Sequence, residues 1–321
     1  MKEGIFKKKI WAEDELAQAR QLLDICNTYE GLYLKLDVEM LRSRLGKETN
    51  DFLYYEGGKL VGLLAMDEFG DEERELTGMV HPDHRREGIF SALFAAAKAE
   101  AKARGIERLI LVCERFSHAG QGFVAATGAA YDFSEHKMVL EDFKVGTRSI
   151  SSPTDHITLR KAGSEDVETL ALISAASFGH SVEGTKRHIL ENMQMPRVQY
   201  YLGMLGNADP FLADVTGGER NEEAVGCLNL FEAEMEYGIY AFAVLPRYRG
   251  RGFGRQMLEQ IIKKVHARNA DPFLADVSRG ERSLGIALEV ETQNEIAIGL
   301  YRSCGFVEVT TYGYYNVDLE M

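Results

Sequence analysis

The chain has 321 residues, 45% of them hydrophobic and 27% charged, so it belongs with ordinary globular proteins rather than disordered or fibrous ones. A formal net charge of −13 repels phosphate backbones and argues against nucleic acid as a partner. Four scattered cysteines (Cys26, Cys113, Cys227, Cys304), no run of 18 apolar residues and an N-terminus interrupted by Glu13-Asp14-Glu15 lead us to expect reduced thiols, no membrane span and a cytoplasmic location. In chain order, strands are expected over 51–55, 60–66 and 76–80, then a helix from Gly88 and a strand over 109–113. A Ser/Gly/Pro-rich stretch around residue 150 reads as a linker, placing domains at 1–148 and 157–321 with 149–156 between them. The second half opens with a strand over 157–160 and a helix begun by Ser164 and Asp166. A hairpin over 198–204 and 224–231 and a strand over 238–244 follow. A glycine-rich turn then leads to a helix with Met257, Leu258, Ile261, Ile262 and Val265 on one face.

The two halves resemble each other. His81-Pro82-Asp83-His84-Arg85-Arg86-Glu87-Gly88 aligns with Leu245-Pro246-Arg247-Tyr248-Arg249-Gly250-Arg251-Gly252, and Val61-Gly62 with Val225-Gly226 at the same spacing. Farther on, the strand ending at Glu114 aligns with the strand ending at Glu291 at a longer spacing. The excess is explained by a segment beginning Asn207-Ala208-Asp209-Pro210-Phe211 that recurs, between the two matches, at Asn269-Ala270-Asp271-Pro272-Phe273. Both copies, 207–220 and 269–282, read as inserted surface loops, since Asp-Pro and Gly-rich pairs are loop chemistry.

Arg249-Gly250-Arg251-Gly252-Phe253-Gly254 lies between a strand and an amphipathic helix. Glycines let the backbone turn tightly, the first helical amides lack internal partners, and two arginines add charge suited to phosphate oxygens. The same residues also fit a plain strand-to-helix turn. His81 and His84 have the spacing of a metal pair but no third ligand follows, so no metal is expected. Cys113 and Cys304 read as buried packing residues.

The pattern Arg249-x-x-Gly252-x-Gly254, followed by Leu288-Glu289-Val290 and by Asn294 through Tyr301 to Gly305-Phe306, resembles the GCN5-related N-acetyltransferase (GNAT) superfamily. The run 288–306 is most similar to the branch that acetylates protein N-terminal amines, whereas the tandem layout is similar to that of mycothiol synthase. The resemblance implies an α/β fold: two tandem domains, each a mixed, mostly antiparallel sheet flanked by helices. It also implies acetyl-CoA as co-substrate, with its pyrophosphate on Arg249, Gly250, Arg251, Gly252, Phe253 and Gly254, and its pantetheine arm beside Asn294 between two strands. Tyr301 would be the general acid, Glu289 the general base, and the Val244 amide would polarise the thioester carbonyl. Without the resemblance, Tyr301 also fits a core aromatic and Glu289 the wet face of a strand, and Glu291, Glu236 and Glu234 are rival bases.

The first half departs from this pattern. Arg85, Arg86 and Gly88 keep a possible cradle, but Phe90 stands at the third glycine, and Val112, Ser117 and Val124 stand where the second half has Glu289, Asn294 and Tyr301. The expected function is acetyl transfer to a primary amine, of a small molecule or a protein N-terminus, by the second half. The rival class is a non-enzymatic protein that binds coenzyme A.

Overall fold

The computed structural model describes residues 2–68, 72–141, 156–195, 197–206, 222–233, 236–269 and 285–319. The expected linker, apart from His156, and all but Asn269 of the two expected loops lie outside these residues, as does Glu234. The chain divides into two compact units, Met1–Lys137 with Val309–Met321, and Met138–Glu308.

In the first unit the strands are β1 (Gly4–Lys8), β2 (Asp51–Glu56), β3 (Lys59–Glu68), β4 (Glu73–Val80), β5 (Arg108–Glu114) and most of β6 (Ala130–Leu140). Strands β7 to β11 belong to the second unit, and the last strand of the chain, β12 (Phe306–Asp318), returns to the first. There it lies between β5 and β6, in the order β1-β2-β3-β4-β5-β12-β6. Antiparallel pairing to β5 runs from Tyr312–Glu114 to Asp318–Arg108 and buries Tyr312 and Tyr314 almost completely. The β4–β5 pair is parallel and ends at Leu76–Leu111. One sheet face carries the helices Ile89–Ala103 and His118–Thr127, and the other carries Glu13–Glu30 and Val38–Arg42.

The second unit holds β7 (Ile157–Lys161), β8 (Val198–Gly206), β9 (Glu222–Glu232), β10 (Glu236–Val244) and β11 (Gly285–Glu291), in the order β11-β10-β9-β8-β7. The helix Phe253–Asn269 buries Phe253, Met257, Leu258, Ile261, Ile262 and Val265, each at most 1% exposed, because apolar residues every three or four positions make one continuous stripe. It sits close to the sheet because Gly203 and Gly226 leave room for Met257, whose sulfur lies 2.8 and 3.0 Å from where their Cβ atoms would be. The helices Val167–Phe178 and Val182–Asn192 cover the opposite face, over Tyr200, Leu202, Met204, Cys227 and Ala243. Both units are mixed sheets flanked by helices, as the sequence implies.

Candidate active site

In the second unit the parallel pairing of β10 with β11 stops at Ile239–Leu288. Beyond it, 240–244 and 289–291 have no ladder with each other, and the two strand ends diverge. A bulge in β10 contributes to this: Tyr240 pairs with Asn229 and Ala243 with Cys227, so Ala241 and Phe242 together face one residue of β9. Ala241 holds a φ of +47°, a left-handed conformation uncommon outside glycine. The extra residue inverts the phase of the strand. Phe242 and Val244 therefore face the helix Phe253–Asn269, as Ile239 does.

Tyr301 comes from the helix Glu295–Ser303 and packs on that same face, its ring 6.2 Å from Phe242 and 6.1 Å from Phe306. It is 6% exposed, and burial pushes its phenol well above the usual tyrosine range. Among the described residues its hydroxyl has no hydrogen-bond partner. Glu289 alternates with Leu288 and Val290, which belong to this core, so its half-buried side chain projects from the other face. The proposed acid and base thus lie on opposite sides of the diverging strands. Glu291 shares the face of Glu289 at the strand tip and stays a rival base, whereas Glu236 pairs with Gly285 at the far end of the sheet.

The turn closing β10 has a defined geometry. Pro246–Tyr248 forms one turn of 3-10 helix, the Arg249 amide donates to Pro246 O, and Arg249 Nε donates to the Val244 carbonyl at 3.0 Å. Gly250 and Gly252 hold φ of +77° and +81°, the left-handed region that a side chain disfavours. Arg251 lies over the rings of Tyr248 and Phe253, at 5.5 and 4.8 Å. Phe253 is the buried anchor of the helix start. A Cβ on Gly254 would lie 3.4 Å from Leu300 and 3.7 Å from Val244, so the helix begins hard against the diverging strands. These features fit an anionic group at the unpaired amides of the helix start, flanked by arginines. Asn294 caps its own helix, its Oδ1 accepting from the Ala297 amide at 3.1 Å, which leaves its NH2 for any further contact.

The first unit repeats the turn with other residues. Pro82–His84 is again a 3-10 turn, Arg85 Nε donates to the Val80 carbonyl at 3.1 Å, and Arg86 and Gly88 take φ of +70° and +81°. Arg85 also bonds Glu30 at 2.8 Å. Ser117 caps the helix His118–Thr127 through the Gly120 amide, as Asn294 does in its unit. The partners of the chemistry differ: Val124 is buried where Tyr301 would be, and Phe90 stacks edge-on against Phe123 at 4.6 Å. The β3–β4 register runs without a bulge. His84 Nδ1 lies 2.8 Å from Glu56 Oε2, and with Glu87 these groups form a cluster at the surface of the first unit's own turn.

Four cysteines are buried and free. Burial pushes the thiols of Cys113 and Cys227 up to about 12, which leaves them protonated and unsuited to a cysteine-acyl mechanism. Sequence reasoning misses the bulge at Ala241 and with it the placement of Tyr240, because no glycine or proline marks the position. No helix among the described residues is long and apolar enough to cross a membrane.

Comparison with known proteins bears on the family and the fold. Residues 213–308 match the acetyltransferase (GNAT) domain and residues 17–128 match the acetyltransferase (GNAT) family. The N-alpha-acetyltransferase RimI of Mycobacterium tuberculosis is 37% identical over 75 residues, 23% of this chain and 37% of RimI. An uncharacterized protein of Mycobacterium leprae is 39% identical over 74 residues, 16% of its length, so the chain spans well under half of either relative. The mycothiol acetyltransferase of Mycobacterium ulcerans is 22% identical over 308 residues, 92% of this chain and 91% of that one. A tandem GNAT protein from the clavulanic acid biosynthesis pathway shares the fold over 99% of this chain and 98% of its own, with a TM-score of 0.70 at 15% identity. With a GNAT match in each half and tandem GNAT architecture over its whole length, the chain belongs to the GNAT acetyltransferases, a family of acyltransferases, as a two-domain member.

Proposed function

We propose that the second unit transfers acetyl from acetyl-CoA to a primary amine by direct attack. The observation that carries this reading is the divergence of β10 and β11 with Tyr301 on one face, Glu289 on the other and the Arg249–Gly254 turn at its end. The turn would hold the pyrophosphate, and the unpaired edge of β10 up to Val244 would take the pantetheine arm with help from Asn294. Glu289 removes a proton from the amine, whose nitrogen bonds to the thioester carbon. The carbon–sulfur bond breaks, the Val244 amide steadies the carbonyl oxygen, Tyr301 gives its proton to the departing sulfur, and the surplus proton left on the acylated nitrogen passes to solvent, which restores the phenol. Burial suits Tyr301 to this role, because the phenol stays protonated until a proton acceptor arrives.

The acceptor is a small molecule or a protein N-terminus. Similarity to the mycothiol acetyltransferases over 92% of the chain favours the small molecule, since the match to RimI covers 23%. The first unit would bind coenzyme A through Arg85, Arg86 and Gly88 or serve as scaffold, with no acid or base of its own at the matching positions.

The test is amine-dependent release of free thiol from acetyl-CoA by the full-length protein, together with Gly252→Glu. At φ +81° beside the phosphate position, the glutamate adds both strain and like charge. Acetyl-CoA affinity should fall at least ~10-fold by calorimetry. Unchanged affinity at the second unit would reject the cradle, and absence of amine-dependent thiol release would leave a coenzyme A-binding protein.

A further inference from the structure

The bulge at Ala241 begins immediately after Tyr240, the first residue of β10 beyond its pairing with β11. In the first unit Leu76 closes the parallel pair with Leu111 and lies in the core beneath the helix Ile89–Ala103, as Ile239 opposite Leu288 lies in the core of the second. Tyr240, one residue on, stands in the ladder where the first unit has Thr77, and faces the opposite side of the sheet. Tyr240 pairs with Asn229, and Asn229 with Tyr200, so these three side chains share one face of the sheet. Glu289 stands next in line across the diverging strands, because Ile239 and Leu288 pair on the other face. A row Tyr200–Asn229–Tyr240–Glu289 therefore crosses four adjacent strands. Its outer end is held by the helix Val182–Asn192, where Asn192 Nδ2 donates to Tyr200 Oη at 3.3 Å and meets His188 Nε2 at 2.8 Å.

Within this row Tyr240 is 42% exposed, and its ring lies over Gly238. A Cβ on Gly238 would meet the ring carbon Cε2 and sit 2.9 Å from both Cζ and Oη, so only glycine leaves the ring in place. The first unit has Glu75 and Thr77 at the two matching positions of the ladder and Ala65 at that of Asn229. This arrangement is confined to the unit that carries Tyr301 and Glu289.

We propose that Tyr240, lying on Gly238 between Asn229 and Glu289, is the floor of the acceptor site, and that the acceptor is a small polar amine. The ammonium form rests on the face of the ring, next to the carboxylate that takes its proton. A hydroxyl or amide close to the amine bonds Asn229, which Tyr200 and Asn192 hold in place from behind. An apolar amine would leave Asn229 without its partner. The proposal rests on reading the second unit as an acetyltransferase.

The test uses the full-length protein with saturating acetyl-CoA and four probe amines: serinamide and glucosamine against hexylamine and phenethylamine. Serinamide and glucosamine should be turned over with kcat/KM on the order of tenfold higher than the apolar pair. Tyr240→Leu and Gly238→Ala should each raise KM for serinamide on the order of tenfold, while Tyr240→Phe keeps the ring and changes it little. Asn229→Leu should remove the preference for serinamide over hexylamine. KM for acetyl-CoA stays constant throughout, which reports that the variants are folded. Preference of the unaltered protein for hexylamine, or unchanged serinamide KM in both Tyr240→Leu and Gly238→Ala, overturns the proposal. Calorimetry with serinamide and glucosamine separates it from the reading beneath it. Binding that is lost in Tyr240→Leu, without turnover of any amine, supports the acceptor floor and rejects acetyl transfer, whereas no binding of either rejects the floor.

Discussion

At the scale of single residues, the site divides its two proton transfers between faces of one sheet, and the two groups should answer differently to pH. Tyr301 is raised by burial alone, so it remains protonated beyond the ~10 at which a free tyrosine ionises. It therefore sets no alkaline limb in kcat below that pH. Tyr301→Phe keeps the ring that packs on Phe242 and Phe306 and removes only the donor. Turnover should drop ~100-fold or more at every pH, with acetyl-CoA affinity unchanged. Glu289→Gln should abolish the acidic limb, because the amide cannot take the amine's proton. A limb that stays in place moves the base to Glu291, the remaining carboxylate on that face at the strand tip. Wild-type turnover in Tyr301→Phe on a verified acceptor removes the tyrosine from the mechanism.

At the scale of elements, some features are written locally and others are not. Gly250 and Gly252 announce the turn because left-handed backbone favours glycine, and the stripe from Met257 to Val265 announces its helix. Ser117 and Asn294 cap matching helices, so the similarity between the halves can be followed through the gap between them. The bulge is hidden: Ala241-Phe242-Ala243 carries no glycine, and its left-handed residue is set by pairing to β9, which no local pattern encodes. The first-unit helix Glu13–Glu30 shows how charge can fix an element start. Burial alone would raise the carboxyl of Glu15, but hydrogen bonds from Lys2 and Lys8 of the N-terminal segment and from the Ala12 amide override it and hold it at about 2. A carboxyl lower in the folded state stabilises above the unfolded value, and that stability is lost as pH falls from ~4.5 toward ~2. Glu15→Gln should cost about 3 kcal/mol at pH 7 by chemical denaturation of the first unit and almost nothing near pH 2. A deficit independent of pH would show that packing, not charge, is what Glu15 supplies.

At the scale of the whole molecule, the chain does not fold half by half in the order in which it is written. The first unit is completed by the last strand, and Tyr312 and Tyr314 on β12 are 1% and 0% exposed within it. Tyr312 donates to the Tyr33 carbonyl at 2.7 Å, Lys35 reaches Tyr314 Oη at 2.5 Å, and Phe133 stacks on Tyr314 at 4.2 Å. This could not be read in the sequence, because an alternating strand states which face it buries but not which sheet it joins. It also changes how the silence of the first half must be tested. Residues 1–141 alone would expose the edge of β5 and leave Ile110, Val112 and Phe133 without their tyrosines, so the fragment should aggregate or stay loosely packed. Because β6 and β12 run antiparallel, with His136 against Thr311 and Asp132 against Asn316, a short Gly-Ser turn from Leu140 to Phe306 should restore a hairpin. The joined chain, 1–140 followed by 306–319, should give a cooperative thermal transition that 1–141 lacks. If 1–141 melts cooperatively by itself, the last strand is dispensable to the first unit. Once folded, the joined chain should acetylate none of the amines that the full protein accepts, since Val112 and Val124 can neither take nor give a proton. The same silence is expected of full-length protein carrying Tyr301→Phe with Glu289→Gln, and robust transfer by either would make the first unit an enzyme in its own right.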